Sequence, residues 1–263
     1  MWVSGWVFSG LDSQWDVIYQ NKFNDSGFKG VFESMIPSSC VHATAIDIWA
    51  MQLSYTEQFR SRTSQARLFM PSTILSNMVF DKRYTKDEWF KFFETIMNQH
   101  LEKYREFGDI REKCVVIDNS GVDVPMDAKY GTVPIDMVDF FTRYLKTRKH
   151  PKANKFKHVI PYRFFMSWMT KKNKVDCGVF VMRHMETYKG EKMEKWDASL
   201  EMECDSLQEQ LNKLRWKYVT KMLLSDMNLL KDYVEGKMDS YVNIPEHIRK
   251  KFEKKAHLEK IEL

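Results

Sequence analysis

Apolar side chains recur every three or four residues in several stretches of the chain, which is the spacing of one face of an α-helix. This pattern predicts a mostly helical segment after residue 189 and helices over four ranges before it: 43–58, 86–107, 138–145 and 175–188. Charged residues occupy the opposite face of the second helix, as is typical of a helix that packs one side inward. The mixed-charge tail 249–263 is expected to be solvated or frayed.

Two short β-strands are predicted among these helices. The β-branched run from Lys113 to Asp118 stops at Asn119-Ser120-Gly121, which has the composition of a turn. A buried strand that ends in a polar corner is therefore expected there. The stretch 157–162 predicts a second strand, interrupted by Pro161 because proline has no backbone N–H for a ladder hydrogen bond.

The composition is that of a globular chain. Hydrophobic residues make up 43% of the 263 residues and aromatic residues 14%, which excludes an intrinsically disordered chain. Neither a repeat nor a Pro-rich or Gly/Ser-rich linker divides it. The four cysteines are far apart and lack C-x-x-C spacing, so neither a structural zinc site nor a disulfide framework is expected. Without a leader-like or membrane-spanning pattern, we expect an intracellular protein, nuclear or cytoplasmic, with no membrane partner.

Positive charge is concentrated in one part of the chain, here called the basic block 143–174. It contains eleven lysines and arginines, and no aspartate or glutamate lies between residues 140 and 175. One interpretation is a solvated loop face. The other is a surface that binds an acidic partner, such as an acidic modifier protein or a nucleic acid.

Two residues stand out as candidates for chemistry. Cys177 is predicted in the first turn of a helix, where the aligned peptide dipoles favour the thiolate. Gly178 beside it would leave room for an approaching substrate backbone. Asp118 at the end of a strand could orient an imidazole. The structural alternatives are a buried cysteine that packs as a small apolar residue and an aspartate that caps a turn.

Taken together, three segments resemble a known family: Ile117 to Ser120, Trp168 to Asn173 and Asp176 to Tyr188. They are similar to the SUMO-specific, or ubiquitin-like, cysteine proteases, in the plant-type form often carried by transposable elements. The likeness implies an α/β (α+β) papain-like fold with a small central sheet and surrounding helices. It also implies a catalytic domain over residues 1–188, best matched in 113–188. The helical pattern of residues 189–263 predicts a C-terminal extension that packs on this domain or continues it.

The resemblance implies a reaction that needs no cofactor or metal. In the family a cysteine attacks the carbonyl of the C-terminal glycine of a ubiquitin-like modifier, which is thereby processed or removed from its conjugates. A histidine on a strand acts as the base, an aspartate orients it and a glutamine completes the oxyanion hole. By this likeness Cys177 is the nucleophile and Asp118 the orienting acid.

The chain departs from the family at the histidine and the glutamine. It has no segment that resembles the family's histidine strand, and His100, 18 residues before Asp118, is the one histidine in the expected region. His100 is either the catalytic base or a residue on the solvent face of a charged helix. No glutamine lies between Gln99 and Gln208, which leaves Asn173 as the nearest amide. Two functions follow: a degenerate cysteine peptidase, or a non-catalytic binding module for an acidic modifier or nucleic acid.

Overall fold

The computed structural model describes residues 2–61, 66–72, 83–104 and 111–261. The strands are β1 Val17–Gln20, β2 Ser26–Phe28, β3 Val115–Val116 and β4 Tyr162–Arg163. The helices are α1 Trp2–Phe8, α2 Lys29–Glu33, α3 Ala43–Thr56, α4 Lys86–Tyr104, α5 Met126–Tyr130, α6 Val133–Thr147, α7 Ala153–Phe156, α8 Cys177–Thr187, α9 Asp205–Leu223, α10 Lys231–Val242 and α11 Glu246–Ile261. None of the helices in the described ranges is both long and apolar enough to cross a membrane.

The strands form two small sheets surrounded by helices, as the predicted fold class requires. The strands β1 and β2 pair antiparallel, whereas β3 and β4 pair parallel, with Val115 opposite Tyr162 and Val116 opposite Arg163. A parallel pair needs a long crossover connection, and α5, α6 and α7 supply it. The carboxyl ends of β3 and β4 therefore lie at the same edge, next to Asp118.

Both predicted strands differ from the observed ones in extent. Of the predicted run 113–118, only Val115 and Val116 form a regular ladder. The predicted strand over 157–162 is wrong in position, because the chain leaves α7 through a turn and pairs only after Pro161. The missing N–H of that proline explains why the ladder begins at Tyr162 rather than before it.

The main hydrophobic core brings distant parts of the chain together. The aromatic side chains of Trp6, Trp49, Phe180 and Tyr218 are all buried in it, on α1, α3, α8 and α9. The Trp49 indole donates a hydrogen bond to the Met182 carbonyl at 3.0 Å, which fixes α3 against α8. This core includes residues on both sides of residue 188, so the C-terminal helices pack into the same core as the rest of the chain. The division into two parts at residue 188 stays a proposal.

Both ends of the described chain are helical. The helix α1, which the hydrophobic pattern left unassigned, buries Val3 and Val7 in the core. Of the two expectations for the tail, fraying is wrong for residues 249–261, because they lie within α11, whereas Lys250, Lys251 and Lys254 are exposed to solvent. The Arg249 guanidinium lies 4.9 Å from the centre of the Trp2 ring, a cation–π contact that ties α11 to α1.

The basic block 143–174 does not form one continuous solvent face. Arg163 is only 7% exposed, and Arg143 forms an ion pair with Asp87 at 2.9 Å. Other members remain exposed around the end of α6 and around α7: Lys146, Arg148, Lys149, Lys155 and Lys157. The eleven cations therefore divide between structural contacts and solvated positions.

Candidate active site

Cys177 is the first residue of α8, the position in a helix that the sequence predicts, and it is exposed rather than buried as a small apolar residue. A tight turn positions it, because the Asn173 side-chain oxygen accepts hydrogen bonds from the backbone N–H groups of Val175 and Asp176, at 3.3 and 3.0 Å. The Asn173 amide nitrogen donates to the Asp176 carboxylate at 2.7 Å. This amide therefore holds the turn together instead of replacing the family's oxyanion glutamine.

A fully buried ion pair lies directly beneath this turn. Arg215 of α9 binds Asp176 through two nitrogens, at 2.9 and 2.6 Å, and both side chains are 0% exposed. The same guanidinium donates to the carbonyls of Ile36, Ser39 and Val175, at 2.9, 2.7 and 3.3 Å. One arginine thus joins α9, the 36–39 loop and the segment that precedes Cys177.

Gly178 is needed for close packing rather than for substrate access. A Cβ atom at this position would lie 2.6 Å from the Val41 Cβ, a distance that real Cβ atoms do not approach. The expectation that Gly178 clears a path for a substrate backbone is therefore corrected, since the space beside it is filled by Val41.

We expect Gly178→Ala to lower the free energy of unfolding by about 1–3 kcal/mol, because the added methyl group forces the Val41 loop away from α8. Urea denaturation measures this change. The matched control is Gly236→Ala within α10, where nothing lies within 4 Å of the added Cβ. That variant should gain about 1 kcal/mol from helix propensity. Equal stabilisation of both variants would contradict the proposed contact.

The electrostatic surroundings of the Cys177 sulfur favour the neutral thiol. Partial burial raises the pKa of Cys177, the Asn119 amide acts in the opposite direction, and the negative charge of Asp118 raises the pKa further. The thiol itself donates to the Lys174 carbonyl at 3.8 Å. The net shift is upward, so the expected activation by the helix N-terminus does not dominate.

Asp118 lies close to Cys177, but its carboxylate is occupied by groups other than an imidazole. It accepts hydrogen bonds from the Tyr130 hydroxyl at 2.5 Å and the Ser120 N–H at 2.9 Å. It also forms ion pairs with Lys129 at 2.7 Å and Arg163 at 3.5 Å. Burial opposes ionisation, but these partners outweigh it and hold the pKa of Asp118 below its usual value.

No histidine in the described part of the chain hydrogen-bonds to the Cys177 sulfur or to Asp118. His100 lies in α4, as the helical pattern predicts, but it is only 6% exposed, so its expected place on the solvent face is wrong. His184 is also buried, and its Nε2 accepts a hydrogen bond from the Trp168 indole at 3.1 Å. Burial lowers the pKa of His184 to about 4, although the charge of Asp118 acts in the opposite direction.

A cleft of about 750 Å³ opens at the carboxyl ends of β3 and β4. Its wall includes Phe165, Trp168 and Trp196 together with Lys171, and Cys177 is not among the lining residues. The thiol is therefore presented on an open helix start rather than at the bottom of this cleft. In the described ranges, no group of three or more histidine, cysteine, aspartate or glutamate side chains has an arrangement that could hold a metal ion.

Sequence reasoning missed the partners of Asp118. Arg163 appeared only as one charge of the basic block 143–174, and it reaches Asp118 because the parallel register places it opposite Val116. Lys129 and Tyr130 lie on α5, a five-residue helix with no apolar periodicity to reveal its position. Asn119 was assigned only to a turn. Its neighbours in sequence gave no indication that its amide faces a thiol.

The fold is similar to that of a solved structure, the X-ray structure of the C-terminal Ulp1 protease domain in complex with Smt3, the yeast ortholog of SUMO. The TM-score is 0.55 at 12% sequence identity, over 86% of this chain and 96% of that one. No family model and no curated protein matches the sequence. The likeness at this identity establishes a shared fold: helices around a small sheet, as in that protease domain.

Proposed function

We propose that this chain binds the C-terminal segment of a ubiquitin-like modifier near Cys177 and hydrolyses it poorly. The fold supports the modifier as partner, because the similar solved domain is a protease in complex with the yeast ortholog of SUMO. The exposed thiol at the start of α8 supports Cys177 as the group closest to the bound carbonyl. A thiol without a base next to it reacts slowly, since the thiolate is the nucleophile.

The observation that carries this proposal is the set of partners around Asp118. An aspartate that orients a catalytic imidazole must offer it a carboxylate oxygen. Here the carboxylate is bound by the Ser120 N–H at Oδ1 and by Tyr130, Lys129 and Arg163 at Oδ2, and none of these partners is an imidazole. A general base contributes about 100-fold or more to such a reaction, so we expect hydrolysis to be weak without one.

Peptide hydrolysis is the second candidate function. It is favoured by the position of Asn119, whose amide acts on the Cys177 sulfur and lowers its pKa against the effect of burial. In this alternative Cys177 is the nucleophile, Asp118 the acidic partner and His100 the base. Nucleic-acid binding rests only on the exposed lysines and arginines of the basic block 143–174, near α6, α7 and the start of α8, and the similar solved structure names no nucleic acid.

Two assays on wild type and Cys177→Ala test the proposal. The first measures binding of a SUMO-type modifier by calorimetry, and both proteins are expected to bind. The second measures release of a fluorescent amine from the C-terminus of the same modifier. Wild-type turnover is expected to stay within about threefold of the alanine variant, far below the roughly 100-fold effect of a general base.

Each assay has an outcome that contradicts one part of the proposal. Absence of binding by both proteins would exclude the modifier as partner. Turnover that exceeds the alanine variant by about 100-fold or more would establish a working peptidase. The variant His100→Gln then decides the base: a comparable loss of turnover would identify His100, and unchanged turnover would exclude it.

A further inference from the structure

A second exposed cysteine lies on the segment that packs against the start of α8. Cys40 is in the loop between α2 and α3, and both Cys40 and Cys177 are exposed and free. The two residues are 137 positions apart in sequence, so only the tertiary structure brings them together.

Two contacts on either side of the cysteines define how the segments align. Before them, one nitrogen of Arg215 donates to both the Ser39 and the Val175 carbonyls, at 2.7 and 3.3 Å. After them, Val41 packs so tightly against Gly178 that an added Cβ would lie 2.6 Å from it. The segments 39–41 and 175–178 therefore run side by side in the same direction.

This alignment places Cys40 next to the start of α8, where Cys177 lies. The electrostatic surroundings agree with it, because the charge of Cys40 is among those that raise the pKa of the Cys177 thiol. A disulfide needs Cα atoms about 4.4–6.8 Å apart, so the two segments must be direct neighbours for one to form. Exposure of both residues leaves them open to a dissolved oxidant.

We propose that Cys40 and Cys177 are a redox-active pair that closes to a reversible disulfide. With oxidised glutathione, one thiolate attacks the glutathione disulfide, forms a mixed disulfide and releases one reduced glutathione. The neighbouring thiolate then attacks the protein sulfur of that mixed disulfide and releases the second reduced glutathione. Two thiol protons are lost, two electrons pass to glutathione, and one protein S–S bond forms.

Closure of this disulfide would remove the free thiol at the start of α8, where the modifier is proposed to bind. The pair does not depend on that function, because thiol exchange requires neither a modifier nor hydrolysis. The raised pKa of Cys177 makes exchange slow at neutral pH and faster as the pH rises toward the thiol pKa.

The test is equilibration of the full chain with oxidised and reduced glutathione, followed by acid quenching, alkylation and mass spectrometry. Wild type is expected to lose two hydrogens, with peptide mapping that joins Cys40 to Cys177, and dithiothreitol should reverse the change. Cys40→Ser should instead retain glutathione on Cys177. The matched control is Cys204→Ser, which removes another exposed cysteine and should leave the disulfide intact.

Two results would overturn the proposal. One is a wild-type protein in which glutathione stays on Cys177 while Cys40 remains free to alkylate. The other is loss of two hydrogens in the Cys40→Ser variant, which would assign the disulfide to different cysteines. Circular dichroism of Cys40→Ser and Cys40→Ala verifies that the variants are folded, so a folding defect is distinguished from a missing disulfide.

Discussion

Replacing Arg215 with methionine is expected to lower the free energy of unfolding by about 3–5 kcal/mol, the usual cost of removing one partner of a buried ion pair. The change leaves the Asp176 carboxylate without a cation in a site that is 0% exposed. It also removes the guanidinium group whose two nitrogens donate hydrogen bonds to the Ile36 and Ser39 carbonyls. Urea denaturation of the variant and the wild type measures the difference.

The matched control for this prediction is Lys213→Met, an exposed position on the same helix, α9. It makes the same change of side chain outside the buried site and should alter stability by less than about 0.5 kcal/mol. A loss below about 1 kcal/mol in Arg215→Met would contradict the role of this arginine as the link beneath Cys177.

Acid is expected to destabilise the protein through His184. Burial lowers its pKa from 6.5 to about 4 in the folded state. Between pH 6.5 and about pH 4 the unfolded chain therefore binds a proton at His184 more readily than the folded chain does. The stability that neutral His184 allows is fully present only above about pH 6.5. This part of the free energy of unfolding is lost as the pH falls to about 4. It amounts to about 3 kcal/mol, because each unit of pKa difference corresponds to 1.36 kcal/mol.

The measurement is the free energy of unfolding of wild type and His184→Gln between pH 7 and pH 4. Glutamine does not titrate, and its side-chain oxygen can accept the hydrogen bond that Trp168 donates. The variant should therefore lose less stability than wild type over this range. The exposed His158→Gln is the control and should keep the wild-type dependence. Parallel pH curves for wild type and His184→Gln would refute the effect.

Sequence periodicity identified the helices that carry the site. The apolar stripe of α3 and the largely apolar segment that becomes α8 are local patterns, because a helix brings residues three and four positions apart onto one face. The turn before α8 is local as well, since the Asn173 side chain binds backbone groups two and three residues ahead. The resemblance around Cys177 likewise depends on a continuous stretch of chain.

The partners of the candidate site residues could not be predicted in this way. Asp118 is bound by Lys129, Tyr130 and Arg163, which reach it through the parallel pairing of β3 and β4 and the crossover between them. A local sequence pattern does not specify which lysine or arginine from a distant part of the chain will form an ion pair with a given carboxylate. His100 shows the same limit, because its helix was predicted but its burial depends on what packs against that helix.

The sequence by itself determined that the chain folds, where its main helices lie, and that a cysteine lies in the first turn of one of them, because these properties depend on composition and on neighbours along the chain. The tertiary structure alone decided the partners of Asp118, the exposure of Cys177 and the contact of Val41 with Gly178, which brings the segment of Cys40 against the start of α8. These contacts join residues as much as 137 positions apart, and they form only when the shared core brings those segments together.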